Sequence, residues 1–197
     1  MAETAPKKQA CPGSCHCGFT QYIILLTLPQ PFSSSNPPQP TQQQIYRCNC
    51  TTCYKLNLFH VHPANLREDF MLLSPLDPDQ DLSTYQCYDK KRKFYFCPKC
   101  GVRCLTFGGV GETEVVDLTE LAGTKDGKRE VWRAKWGGES DTTTYVSVNG
   151  TTIDYREDFD LRALTEEKRV QYFDDRTEPE EKKKEVRWDR PHYGGSY

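Results

Sequence analysis

The chain has 197 residues, enough for one domain with a real core plus a tail, and a net charge of −2. So even a balance excludes the broad basic footprint of a nucleic-acid or anionic-membrane binder. The longest apolar run, Tyr22 to Leu28, falls far short of the roughly 20 residues that span a bilayer, and residues 1–10 carry no apolar signal core, so the chain reads as cytoplasmic with no membrane partner.

Taken in order, residues 1–10 read as a disordered leader. Residues 11–155 read as a zinc-binding β domain, and 156–197 as a C-terminal extension. Within the domain, Phe19 to Leu28 is rich in β-branched and aromatic residues and predicts a strand. Pro29 to Pro40 is a Pro/Ser loop, longer than a turn requires. Short strands are expected at Leu58–His62, Phe70–Leu73 and Ser83–Tyr88, with turn-rich stretches such as Ser74 to Pro78 between them. Lys93 to Phe107 reads as strand, knuckle, strand. Further strands are expected at Glu114–Leu118, Glu130–Lys135 and Tyr145–Asn149, with Asn149-Gly150 as a hairpin turn. One helix is expected, capped by Asp160 and running from Leu161 to Phe173. From Asp174 to Arg190 the sequence is almost all charge and predicts a solvated segment or exposed helix. The aromatics of Pro191 to Tyr197 fit either disorder or an end that docks back on the body. Many short strands of this kind define an all-β domain of antiparallel strands with a short C-terminal helix.

The ten cysteines carry the chemistry. With no secretory signal, a disulfide scaffold is the weaker reading and metal ligation the stronger. Three groups stand out: Cys15 with Cys17, Cys48-Asn49-Cys50-Thr51-Thr52-Cys53, and Cys97 with Cys100. Zinc–sulfur bonds of roughly 2.3 Å bring neighbouring sulfurs within about 4 Å of each other, a demand that such spacings meet locally. In an extended segment Cys48 and Cys50 share a face, and the two-residue gap turns Cys53 back toward them as a knuckle. Seven sulfurs divide into four and three. Cys15, Cys17, Cys97 and Cys100 make a closed site of the structural kind, with Gly101 free to take the tight turn. The triplet then holds a second ion with one position open, the arrangement of a catalytic site. Two zinc ions per chain follow, although tetrathiolate sites also hold iron. Cys11, Cys87 and Cys104 lack partners at ligand spacing, and Cys104 lies near enough to the knuckle to reach a metal.

Three thiolates leave a zinc ion electron-rich, poor at acidifying water and suited to a sulfur as fourth ligand. The open position therefore takes a substrate thiol and holds it as thiolate. Beside a carbonyl carbon, such a sulfur forms or breaks a carbon–sulfur bond. His60 and His62 share one face of a strand just downstream. They are ordinary strand residues on one reading, and a proton shuttle or fourth ligand on the other. His16 points away from its neighbouring ligands. Tyr54, Lys55 and Asn57 could line the mouth or simply pack.

The ordered motifs Gly13-Ser14-Cys15-His16-Cys17-Gly18, Cys48 to Cys53, and Phe96-Cys97-Pro98-Lys99-Cys100-Gly101 resemble the glutathione-dependent formaldehyde-activating enzymes, a family that includes centromere protein V. The similarity covers roughly residues 11–150, and the extension ending in Gly194-Gly195-Ser196-Tyr197 resembles a fungal branch. The resemblance implies a zinc-bound β-tent fold, a structural zinc on Cys15, Cys17, Cys97 and Cys100, and a catalytic zinc on Cys48, Cys50 and Cys53. It implies carbon–sulfur lyase chemistry on a small thiol–carbonyl substrate, with glutathione as the thiol. Tyr54-Lys55-Leu56-Asn57 departs from the small residue or glycine that relatives usually carry after the triplet. A non-enzymatic, zinc-stabilised binding module is the alternative.

Overall fold

The computed structural model describes residues 5–32, 41–119, 121, 127–138, 140–176 and 186–197. In chain order its elements are β1 (Lys7–Ser14), β2 (Gln21–Leu28), β3 (Gln44–Cys48), α1 (Thr51–Lys55), β4 (His60–His62), β5 (Phe70–Ser74), α2 (Pro78–Asp81), β6 (Ser83–Tyr85), β7 (Lys93–Phe96), β8 (Arg103–Gly108), β9 (Val110–Asp117), β10 (Lys128–Lys135), β11 (Tyr145–Asn149), a single 3-10 turn at Gly150–Thr152, α3 (Leu161–Glu166) and β12 (Gln171–Phe173). The described chain is thus mostly β, with few and short helices.

The strands form two sheets. One has the order β1-β2-β5-β10-β9, the other β12-β3-β4-β11-β8-β7-β6. The main core lies between them. Tyr22, Ile24, Leu26, Phe70, Leu72 and Trp132 of the first sheet belong to the same buried cluster as Ile45, Val61, Leu105, Phe107, Val146 and Val148 of the second. The rings of Phe107 and Trp132 meet edge to face at 4.8 Å. The five-stranded sheet also buries part of its other face, where Ile23, Met71, Val131 and Leu118 cluster. That explains why β2 reads as an unbroken apolar run: both of its faces are covered, so no polar alternation is required.

Several expectations are corrected. Residues 7–10 are not a disordered leader but the start of β1, paired residue for residue with β2 from Lys7↔Leu28 to Ser14↔Gln21. The polar look of this stretch belongs to an edge strand, where Lys7, Lys8 and Pro12 discourage pairing with another chain. Residues 1–4 of that expected leader and 33–40 of the Pro/Ser loop lie outside the described residues. The helix after Asp160 ends at Glu166, not Phe173. Asp160 does cap it, its side chain accepting from the Ala163 N–H. Lys168 then takes a left-handed φ of 57° and closes the last turn. The aromatic residues Tyr172 and Phe173 beyond it find a better place in β12, against the free edge of β3. That pairing is parallel, so the strands are not all antiparallel. Parallel pairing needs a long connection, and here nearly the whole domain lies between the two strands. Asn149-Gly150 opens a 3-10 turn rather than a hairpin, with the Asn149 side chain accepting from the Thr151 N–H. Two helices beyond the expected one, α1 and α2, are present.

Candidate metal centres

Cys15, Cys17, Cys97 and Cys100 bring their sulfurs within 4.8 Å of one another. Two loops build this cluster. One follows β1, where the Gly18 N–H donates to the Cys15 carbonyl at 3.0 Å; the other joins β7 to β8, where the Gly101 N–H donates to the Cys97 carbonyl at 2.9 Å. Gly18 and Gly101 adopt φ of 75° and 74°, a region that side chains avoid. Backbone N–H groups aim at the sulfurs, as from Thr20 to Cys15 at 3.2 Å. Burial works against ionisation of Cys15, but the Thr20 backbone N–H and the Cys17 and Cys97 thiols outweigh it and bring the thiol down to about 6. The Val102 backbone N–H lowers Cys100. Against the pull of the Phe19 backbone N–H, the neighbouring thiols in turn raise Cys17 to about 11, so without a cation the four sulfurs do not all ionise together. The cluster's loops belong to different sheets, so an ion here would bind the two layers together.

The sulfurs of Cys48, Cys50 and Cys53 form a second group within 4.8 Å of one another, and among the described residues no fourth His, Cys or carboxylate joins at that spacing. The local geometry differs from the expected extended knuckle. Cys48 ends β3, Cys50 is the N-cap of α1, and Cys53 lies inside that helix. A sulfur can play the capping role because the Cys50 side chain accepts from the Cys53 N–H at 3.4 Å. The Cys50 N–H in turn donates to Cys48 Sγ at 3.3 Å. Crowding separates the three thiols electrostatically. Hydrogen bonds from Cys48 and Cys53 hold Cys50 down to about 2. Cys48 is driven far above the ordinary thiol range by its hydrogen bonds to Cys50 and Cys53, with burial adding to the rise. Three thiolates at this distance require a cation among them.

Two polar arrangements flank the triplet. On one side, His60 Nε2 lies 3.3 Å from Cys53 Sγ. Its Nδ1 lies 2.9 Å from Ser147 Oγ, which accepts from the Tyr145 hydroxyl at 3.0 Å. The Tyr46 hydroxyl bonds that of Tyr145, and the Tyr46 ring stacks on His60 at 4.6 Å. Burial, reinforced by the Arg92 guanidinium, pushes His60 down to about 3 and keeps it neutral. A neutral ring that accepts from Ser147 at Nδ1 donates its Nε2–H to the Cys53 sulfur. His62 is also buried, with Nδ1 donating to the Val146 carbonyl at 2.6 Å.

On the other side is the C-terminal segment. Asp175 Oδ2 accepts from Cys48 Sγ at 3.0 Å. Asn49, between two of the cysteines, fastens this contact. Its Oδ1 accepts from the Asp175 N–H at 2.8 Å, and its Nδ2 donates to Asp174 Oδ1 at 2.7 Å and to the Tyr193 carbonyl at 3.2 Å. Downstream, Arg187 bridges to Tyr172, Tyr197 meets Tyr172 edge to face at 6.2 Å, and Val186 and His192 are buried. The chain end therefore docks, and its first acidic residues reach the triplet loop, Asp174 half-buried and Asp175 still exposed to solvent. Residues 177–185 of the expected solvated stretch lie outside the described residues.

All seven cysteines assigned to metal sites thus converge as two clusters. Cys11 and Cys104 join neither; both are buried, and burial raises their thiols to about 11 and about 12. Cys87 is half-buried, 3.5 Å from Thr52 Oγ1. His16 is exposed. Tyr54 and Lys55 are exposed as well, while Asn57 accepts from Arg47 at 3.2 Å. Sequence reasoning passed over Asn49, Asp175, Ser147 and Tyr145. Only Asn49 carried a local signal, by its place between Cys48 and Cys50. Among the described residues, no helix is long and apolar enough to cross a membrane.

No protein-family model and no curated protein matches the chain. A solved structure of a Rhodobacter sphaeroides protein is similar at 17% identity and a TM-score of 0.40, over 78% of this chain and 94% of that one.

Proposed function

We propose that the chain is a zinc-dependent carbon–sulfur lyase or synthase acting on a thiol–carbonyl adduct, of the S-hydroxymethylglutathione type, built on a zinc-bound β-tent. The observation that carries this reading is the pair of unequal sulfur clusters: four convergent cysteines in one, three in the other, with no fourth ligand at equal spacing among the described residues. The donor sets fit zinc. Sulfurs on a tetrahedral zinc stand about 3.8 Å apart, close to the 3.6 Å of the Cys15–Cys17 and Cys17–Cys97 pairs.

A zinc ion on the triplet would supply a soft site where a thiol is held as thiolate beside a carbonyl carbon. The protein's own groups set the surroundings. The His60 Nε2–H spreads charge off the Cys53 sulfur, while Ser147 and Tyr145 fix the ring orientation. Thr51 and Thr52 hydroxyls each lie 3.2 Å from the Tyr88 hydroxyl, giving a polar rim above the start of α1.

Purified protein is expected to carry two zinc ions and to form or cleave an S-hydroxymethyl thiol when given glutathione and formaldehyde, followed by NMR. Cys50→Ser abolishes this turnover and keeps the fold, since serine is itself a favoured N-cap. Unfolding of that variant would make the triplet structural. The second reading, a zinc-stabilised binding module without turnover, draws support from the seat of the C-terminal segment against Cys48 and Asn49. A cobalt-substituted protein separates the two: a spectrum that no thiol alters favours the module.

A further inference from the structure

We propose that Asp175 supplies the fourth ligand of the ion held by Cys48, Cys50 and Cys53, and that Asn49 is the residue that positions it. The inference rests on the metal-binding reading of the triplet and adds how that site is closed at rest. Its starting point is the 3.0 Å contact between Asp175 Oδ2 and Cys48 Sγ. With a protonated thiol this is a hydrogen bond. Once Cys48 binds a metal its proton is gone, and the same contact sets a carboxylate against a thiolate. Two like charges stay that close only with a cation between them. On a tetrahedral ion with bonds of about 2.3 Å to sulfur and about 2.0 Å to oxygen, the sulfur–oxygen edge is about 3.5 Å. The contact to Cys48 is thus already close to the length of one edge of such a shell, and a turn of the Asp175 side chain toward Cys50 and Cys53 would complete it.

Asn49 makes the placement specific. It accepts from the Asp175 backbone N–H and donates to Asp174 and to the Tyr193 carbonyl, so one side chain ties two stretches of the C-terminal segment to the ligand loop. His60 is the competing donor, since its Nε2 is 3.3 Å from Cys53. Its ring, however, is stacked on Tyr46, bonded at Nδ1 by Ser147 and mounted on an interior strand. It serves as a fixed N–H donor to sulfur. Asp175 follows the end of β12, and its oxygen is the hardest donor in a soft set. An incoming thiol would displace it more readily than any of the three sulfurs.

The test uses the full chain loaded with cobalt(II), whose sulfur-to-metal absorption reports the triplet. The wild type, Asp175→Asn, Asn49→Ala and His60→Gln are titrated with a chelator, then with glutathione. Asp175→Asn is expected to release its first ion at a chelator concentration at least tenfold lower than the wild type, with the thermal melt unchanged. Its half-saturating glutathione concentration is expected to fall several-fold, because the internal competitor is gone. Asn49→Ala shows the same changes, smaller. Chelator curves that superimpose for Asp175→Asn and the wild type overturn the proposal, as does a loss in His60→Gln alone. If the wild-type spectrum ignores every thiol while Asp175→Asn still loses metal affinity, the ligand assignment stands and the thiol-processing reading falls.

Discussion

The four-sulfur and three-sulfur clusters differ most in what their cysteines hang from. The first draws on two loops in different sheets, and its Cys17 and Cys97 sulfurs, 80 positions apart in sequence, lie 3.6 Å from each other. The second takes all three sulfurs from one short piece, the end of β3 and the first turn of α1. The sulfurs of the first cluster close a long loop around an ion; the three sulfurs of the second close almost none, and only the displaceable Asp175 would reach that ion from far along the chain. The same metal chemistry is therefore coupled to folding at one place and nearly free of it at the other. On the proposed function, that division would leave the triplet free to exchange a ligand with little risk to the fold.

The largest expected effect breaks the comparison at its folding end. Cys97→Ser opens a loop of 80 residues, worth on the order of 4 kcal/mol by the entropy of closing such a loop. A fall in Tm on the order of 10 °C is expected in a thermal melt, along with loss of one zinc. Cys50→Ser is expected to lower Tm by less than half as much while removing turnover; equal losses from the two variants would erase the distinction. Next in size is Asn49→Ala. It should loosen the C-terminal segment, so that amides of residues 187 and 193–196 exchange hydrogen faster, and weaken the triplet's hold on its ion, by less than Asp175→Asn does. Unchanged exchange would mean that other contacts hold the segment. The smallest effect belongs to Ser147→Ala, which removes the shorter of two hydroxyl contacts to His60 Nδ1 and leaves that of Tyr145 at 3.4 Å, at a cost of about 1 kcal/mol and with a slight shift of the cobalt–sulfur absorption. A change in melt without a change in spectrum would confine the His60–Ser147 pair to a packing role.

The C-terminal region shows most sharply where sequence reasoning stopped. Asp174 and Asp175 read as the start of a charged, solvated stretch because nothing nearby in sequence offered them partners. Their partners, Asn49 and Cys48, are 125 and 127 positions away. Residues 7–10 failed in a similar way. Lys7, Lys8 and Gln9 are polar, and only their pairing with Leu28, Thr27 and Leu26 makes them a strand. By contrast, Cys97-Pro98-Lys99-Cys100-Gly101 and the strands flanking it were legible, since the knuckle, its glycine and both β-runs lie within fifteen residues.

By itself the sequence determined which seven cysteines gather and how they divide into four and three. Bond lengths of a small ion limit ligand spacing within a segment, and that limit is written in the intervals between Cys15 and Cys17, Cys48 and Cys53, and Cys97 and Cys100. It also determined most of the strands, because β-branched and aromatic runs carry their preference locally. Only the tertiary structure decided that β12 lies parallel to β3, that His60 meets Ser147 and Tyr145, and that Asp175 stands against Cys48. Those contacts join residues far apart along the chain. They depend on which edges and faces remain unpaired once the two sheets close on their core, and no local pattern encodes that.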